Sequence, residues 1–490
     1  MVATLAFAVL GTAWALSTPP GAAPDEPSHY VRMVGLARGD LVGERVDPAT
    51  PTPGTLPTPE AIARMNREAG RYDLPRLLTP PEPCNAFQSD LPYVCSWTPI
   101  DEPSGRHISY HARYLPGAYV VPAALSRTGS TMWQSMFAGR VGFVLQATAL
   151  FAVVAAAVAA RWRAVGRTST ASAVLLVASV TPVVVFMSGT LAPNGTEVMA
   201  VAAVTASAMA LATGWSRCWL WCVAVCLVVA SWSRDLGAVT ALGALVAVAT
   251  AEPSVAAQLR VHRREARWPL AVAALGAVSA VVWQVLNKVS ILRVPQRWAE
   301  VTTGLADVGE AVLTAVGLVG WLDTRVHRLV EVGWVLVAAL ATGAVLTRVA
   351  PRVQWVVAAV AAVVVAVGVE LSMGLRAAGF GLQARFLLPL AAIGVVVLVM
   401  APQRETPWSP GVVRLALVGA ATGHLAMLLR AAHRHANGLS QPLDLDGAVW
   451  APPFGWAASV ALMVTGSLLV ALVPLRGPQR ALAPAPEPRS

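Results

Sequence analysis

The sequence predicts an all-α, polytopic integral membrane protein with about 12 transmembrane helices and a long extracytoplasmic first loop. Composition is the first observation behind this. Of 490 residues 56% are hydrophobic and only 13% charged, with a mean hydropathy of +0.61, where soluble domains carry about 25% charged residues. The second is the spacing of long apolar runs, separated by short polar gaps over most of the chain. The third is the arginines, which gather in alternate gaps. The net charge of +10 therefore reads as topology and lipid-headgroup contact. No interleaved basic-aromatic tract points to nucleic acid, so the lipid bilayer is the expected partner.

Val2–Leu16 is apolar and short for a span. It lacks a basic n-region and a small-residue cleavage site, so it reads as a retained first helix within residues 1–17. Residues 18–135 form the long polar stretch, expected outside the cytoplasm. Within it, a short helix from His29 to Arg38 is expected, capped by Ser28, stopped by Gly39 and lying on the bilayer surface. Pro48–Pro59 reads as an extended Pro/Thr spacer. Tyr110–Leu125, amphiphilic and broken by two prolines, reads as interfacial or re-entrant. Residues 136–475 hold the multi-helix domain. Its apolar runs lie near 139–160, 171–191, 196–213, 218–232, 236–251, 269–287, 329–347, 353–371, 386–400, 412–430 and 455–474. Asp307–Trp321 is weaker and amphipathic. Residues 476–490 are a Pro-rich tail.

Short-loop arginines set the orientation. Arg161, Arg163, Arg167, Arg217, Arg260, Arg263, Arg264, Arg267, Arg348, Arg352, Arg404 and Arg414 all fall on one side in this count. That side should be the cytoplasm of a multi-pass plasma-membrane protein. The long first stretch and the gaps around Asn194, Asn287–Arg328, Ser372–Arg385 and Ala431–Phe454 then face outward.

The residues able to carry chemistry share that outer side. Asp25 and Glu26 stand between prolines just after the first helix, with His29 three residues on. Ionisable groups beside so much apolar sequence are costly and hint at function. In an extended segment adjacent side chains point opposite ways. One carboxylate can then be catalytic while the other holds a cation, a helix end or an arginine such as Arg32; the assignment stays open, with Asp25 favoured as base. Asn194 and Glu197 flank a break between helices, which reads equally as an ordinary turn with Glu197 favoured by the helix dipole. Arg234 and Asp235 read as a local ion pair. Trp321 suits an interfacial anchor and Asp323 a solvated carboxylate. Gln383 and Arg385 lie where a helix begins, and arginine is suited to bidentate phosphate contacts.

Cys84 and Cys95 can pair if their loop meets an oxidising compartment. Cys218, Cys222 and Cys226 read as helix-packing residues, so no metal site is expected there. His424 reads as a core histidine. No Walker loop, dinucleotide glycine fingerprint, HExxH or GxSxG is present.

The runs PPGAAPDEPSHYVRMVGLARGDLVG, ARYLPGAYVVPAAL, LAPNGTEV, SWSRDLG, VGWLDT and GLQARFLLP together resemble a bacterial family of polytopic membrane proteins. That family is common in actinobacteria and known only as a domain of unknown function. It looks related to the GT-C glycosyltransferases, which take sugars from polyprenyl-phosphate donors on the outer leaflet. The resemblance implies a first-loop acid as catalytic base, matched here by Asp25 or Glu26. It also implies cationic partners for the donor phosphate, matched by Arg385 and Arg234, with a cell-envelope glycan or lipid as acceptor. GT-C enzymes often bind a divalent metal ion, but no clear ligand set stands in the sequence. The rival expectation is a transporter or flippase of lipid-linked envelope glycans, which should show internal repeats and discontinuous helices.

Overall fold

A computed structural model describes residues 1–47, 50, 59–80, 86–94, 105–165, 170–287, 298–377, 380–403 and 408–473. Helices dominate. The chain opens with α1 (Val2–Ser17), which leads into α2 (Glu26–Ala37). Two short helices follow, α3 (Pro59–Glu68) and α4 (Val120–Ser126), and then α5 (Met132–Val165), whose 34 residues rise roughly 50 Å. The expected single helix over 171–191 is two, α6 (Thr170–Ser179) and α7 (Pro182–Ser188), bent by 51°. Pro182 offers no N–H to the preceding turn, and the Thr181 hydroxyl accepts instead from the Val184 amide at 3.4 Å. The next helix, α8 (Pro193–Leu211), is buried along its whole length and forms the centre of the bundle.

Around it stand α9 (Arg217–Ser231), α10 (Gly237–Ala251), α11 (Pro253–Val261) and α12 (Arg263–Asn287). Between α10 and α11 the axis turns by 99°, again at a proline. The chain continues through α13 (Trp298–Gly317), α14 (Arg328–Leu346), α15 (Pro351–Ala377), α16 (Leu388–Met400), α17 (Pro410–Ala436) and α18 (Gly455–Ala471). Among the described residues, five helices are long and apolar enough to cross a membrane, or seven if each bent pair is one span. This all-α membrane architecture matches the expected class, but the count by length falls short of twelve. The apolar runs are real and helical; prolines and polar residues end several of them early, and α1, α9, α16 and α18 have 13–17 residues where about 20 span a bilayer.

The long polar stretch differs most from expectation. It is folded onto the bundle rather than looped out. Strands β1 (Glu44–Arg45), β2 (Gly70–Asp73) and β3 (Arg106–Ser109) form an antiparallel sheet in that order, with Glu44 opposite Arg71 and Gly70 opposite Ser109. Against it packs α2, which is therefore buried and not laid on a bilayer surface. Tyr30, Met33, Val34, Tyr72, Tyr119 and Phe143 share one core with the start of α5. Gly35 allows the close approach, since a Cβ there would lie 2.4 Å from the Tyr72 ring. Most of the Pro48–Pro59 spacer, the Cys84–Cys95 pair and the 476–490 tail lie outside the described residues.

Contacts sort the polar groups to two ends. At one end Arg161 pairs with Glu252 at 2.7 Å and donates to the Met400 carbonyl at 3.1 Å. At the other, a two-stranded turn of β4 (Leu318–Val319) and β5 (Thr324–Arg325) docks on the loop before α2, where the Trp321 indole donates to the Gly21 carbonyl at 2.8 Å.

Candidate functional site

The prolines around Asp25 and Glu26 do not keep both carboxylates out of the helix. Pro27 falls in the first turn of α2, where a missing N–H costs nothing, so Glu26 is the first helical residue and Asp25 its N-cap. Asp25 takes φ 61°, a left-handed conformation that Asp tolerates better than most residues. This local geometry sends the two side chains to opposite fates.

Glu26 is wholly buried. It receives Arg140 bidentately, Nε to Oε1 at 2.8 Å and Nη2 to Oε2 at 2.7 Å. It also accepts from the Gly21 amide at 3.0 Å and the Leu191 amide at 3.1 Å. Arg140 gives its other donors to the carbonyls of Ala15, Thr18 and Pro19. The partner is thus Arg140, not Arg32, which bonds instead to the carbonyls of Leu41 and Tyr114 and to the Tyr72 hydroxyl. Every charge in this pair is met, as burial demands.

Asp25 is more open, with 36% of its side chain exposed, and its Oδ2 accepts from Arg385 Nη2 at 2.7 Å. Burial by the surrounding protein pushes its carboxyl upward. The charges of Arg385, His111 and Arg234 outweigh that and hold it below its usual range. Arg385 does not begin a long helix but stands in a single 3₁₀ turn, Ala384–Phe386, just ahead of α16. Its Nε has no partner among the described residues, and neither has Gln383 Oε1.

Two further segments complete the cluster. From the Tyr110–Leu125 stretch, His111 stacks on His29 with centroids 4.1 Å apart, and the Tyr119 hydroxyl lies 2.6 Å from His29 Nδ1. Burial holds both imidazoles below their ordinary range, His111 at about 4. From the α9–α10 connection comes Arg234, which feels the charge of the neighbouring Asp235. Its guanidinium lies over the Tyr114 ring at 5.7 Å and the Phe386 ring at 5.2 Å. Beside Arg385 opens a cavity of about 230 Å³, its walls mainly apolar, lined among others by Pro24, Phe186, Thr190, Leu322 and Gln383.

Asp25, His29, Arg234 and Arg385 are therefore brought together, with Gln383 at the cavity wall. Asn194 and Glu197 lie buried in the first turns of α8, the Asn194 amide nitrogen without a partner among the described residues. The charge of Glu197 acts on Arg234. Asp323 is not a solvated carboxylate: it pairs with Arg434 at 2.8 Å and both are buried. The sequence reading missed His111, Tyr114, Tyr119 and Arg140. The first three sat in view, because YHARYLPGAY concentrates polar aromatics beside a proline break, and that density was the signal. Arg140 gave none, standing as one more arginine at the start of an apolar run.

No curated protein and no solved structure matches the chain. One family model does, described as a predicted membrane protein (DUF2142), and it matches residues 7–394, which takes in most of α1, the whole Asp25 cluster and the start of α16. The chain belongs to this family of membrane proteins.

Proposed function

We propose that the protein is a membrane glycosyltransferase of GT-C type. It transfers a sugar from a polyprenyl-phosphate donor to a cell-envelope glycan or lipid on the outer face of the plasma membrane. The observation that carries the reading is the Asp25–Arg385 pair at 2.7 Å, with Arg234 close by and an apolar-walled cavity alongside. A carboxylate, two guanidiniums and an apolar recess are what a lipid-linked phosphosugar and a hydroxyl acceptor require. Arg385 and Arg234 hold the donor phosphate. With Arg385 engaged by phosphate, Asp25 loses its cation and its basicity rises. The acceptor O–H then attacks the sugar anomeric carbon. The proton passes to Asp25, the carbon–oxygen bond to phosphate breaks, and polyprenyl phosphate leaves with its charge held by the arginines. Glu26 supports the loop as a structural anchor.

Arg385→Lys keeps the charge and loses the planar fork. Hydrogen bonds to charged groups contribute about 1.5–3 kcal/mol, so transfer in proteoliposomes should fall about 10–100-fold. Unchanged donor use in this variant would reduce Arg385 to an interfacial anchor. The outward orientation has its own test. Reporter fusions in the Pro48–Pro59 spacer should read as extracytoplasmic and fusions near Arg263 as cytoplasmic. A cytoplasmic signal from the spacer overturns the outer-face assignment.

The transporter reading gains support from one feature, the α6–α7 and α10–α11 breaks, since discontinuous helices serve alternating access. It expects movement of an intact lipid-linked glycan across proteoliposome membranes without bond cleavage. The transferase reading expects a new glycosidic product.

A further inference from the structure

His29 and His111, which the transfer chemistry above leaves unused, form a constellation with Asp25. The three come from α2, its N-cap and the segment after β3, and their ligand-capable atoms all lie within 4.8 Å of one another. Two histidines and one carboxylate are the donor set of many three-ligand transition-metal sites.

The surroundings fit this use. Each imidazole has its Nδ1 occupied, His29 by the Tyr119 hydroxyl at 2.6 Å and His111 by the Ser28 hydroxyl at 2.8 Å. A serine network holds the His111 ring. Ser109 Oγ donates to the Ser28 carbonyl at 2.8 Å and lies 3.3 Å from Ser28 Oγ. Ser28 Oγ accepts from the Tyr110 amide at 2.8 Å and stands 2.8 Å from His111 Nδ1. In the tautomer with the proton on Nδ1, His111 Nε2 offers its lone pair to a metal. Outer hydrogen bonds on Nδ1 that aim Nε2 are the usual support of metal-binding histidines. On the carboxylate, Arg385 takes Oδ2 and leaves Oδ1.

We propose that Asp25, His29 and His111 bind one divalent transition-metal ion of the zinc class, through the carboxylate and the two Nε2 atoms. Two guanidiniums, Arg385 and Arg234, stand nearby and repel a dication. A phosphate on those arginines offsets the repulsion, so ion and phosphate bind together. The phosphate's identity as the donor headgroup rests on the transferase reading; the ion site does not. Bound there, the ion supplies Lewis acidity toward an acceptor hydroxyl.

The test uses the full chain in detergent, stripped with a chelator, with Co²⁺ as a visible-absorbing probe and farnesyl phosphate as the anion. One Co²⁺ per chain should bind, with ligand-field bands, and farnesyl phosphate should raise its affinity at least about 10-fold, within the usual range of coupling between sites. His29→Ala and His111→Ala should lose the signal, and His424→Ala, at a histidine far along the chain that bonds the Val180 carbonyl, should keep it. Tyr119→Phe and Ser28→Ala should weaken binding about 10–100-fold. Where a histidine variant fails to fold, Asp25→Asn takes its place, because that side chain is partly exposed. A wild-type chain that binds no Co²⁺, variants that bind as wild type, or an affinity that farnesyl phosphate does not raise each overturn the proposal. Co²⁺ binding in a chain that makes no glycoside would sink the transferase reading and leave the ion site standing. Glycoside formation with no Co²⁺ bound would do the reverse.

Discussion

Asp25→Asn should reduce transfer by about 10²–10⁴, the range for a lost, positioned general base. Asparagine preserves the volume at the N-cap and can still accept from Arg385 through its amide oxygen, so the loop before α2 keeps its place. What disappears is the ability to take a proton from an acceptor hydroxyl. Expression should stay near normal, and the loss should appear in the rate of the bond-forming step. Measured on purified protein in proteoliposomes with a polyprenyl-phosphate sugar, wild-type transfer by this variant would end the base assignment. The transporter reading would then lead.

Arg140→Ala should have the largest effect on the fold. Removing one partner of a buried ion pair costs about 3–5 kcal/mol, because the other charge stays behind uncompensated. Here Glu26 would be left wholly buried, and the carbonyls of Ala15, Thr18 and Pro19 would lose their donor together. These carbonyls end α1 and start the loop that presents Asp25. Loss of folded protein in detergent should therefore accompany loss of activity, unlike Asp25→Asn. Glu26→Gln combined with Arg140→Leu should be less harmful than the sum of the two single changes, the signature of a coupled pair. Additive losses would mean that Glu26 and Arg140 act separately, and would reopen a direct role for Glu26 in transfer.

The class of the protein and the helical nature of its apolar runs were legible from residues alone, because apolar length and arginine placement are local, additive properties of a chain. So was the importance of the Pro24–Tyr30 stretch, since two carboxylates at the edge of apolar sequence are conspicuous by cost alone. Breaks at Pro182 and Pro253 were readable in principle, proline being a local breaker, although the run 171–191 masked the first within unbroken apolar character.

Only the tertiary structure separated Asp25 from Glu26. Their neighbourhoods differ through partners far along the chain, Arg140 at 114 residues' remove and Arg385 at 360. No local rule ranks one arginine above another at such distances, since each looks alike until the fold pairs it. The same holds for Asp323, which looked solvated until Arg434 closed on it, and for His111, which had no partner in sequence and gained His29 by folding. Apolar segments declare themselves one by one because water treats each alone. Buried polar groups must be satisfied in sets, and only a complete fold assembles the sets.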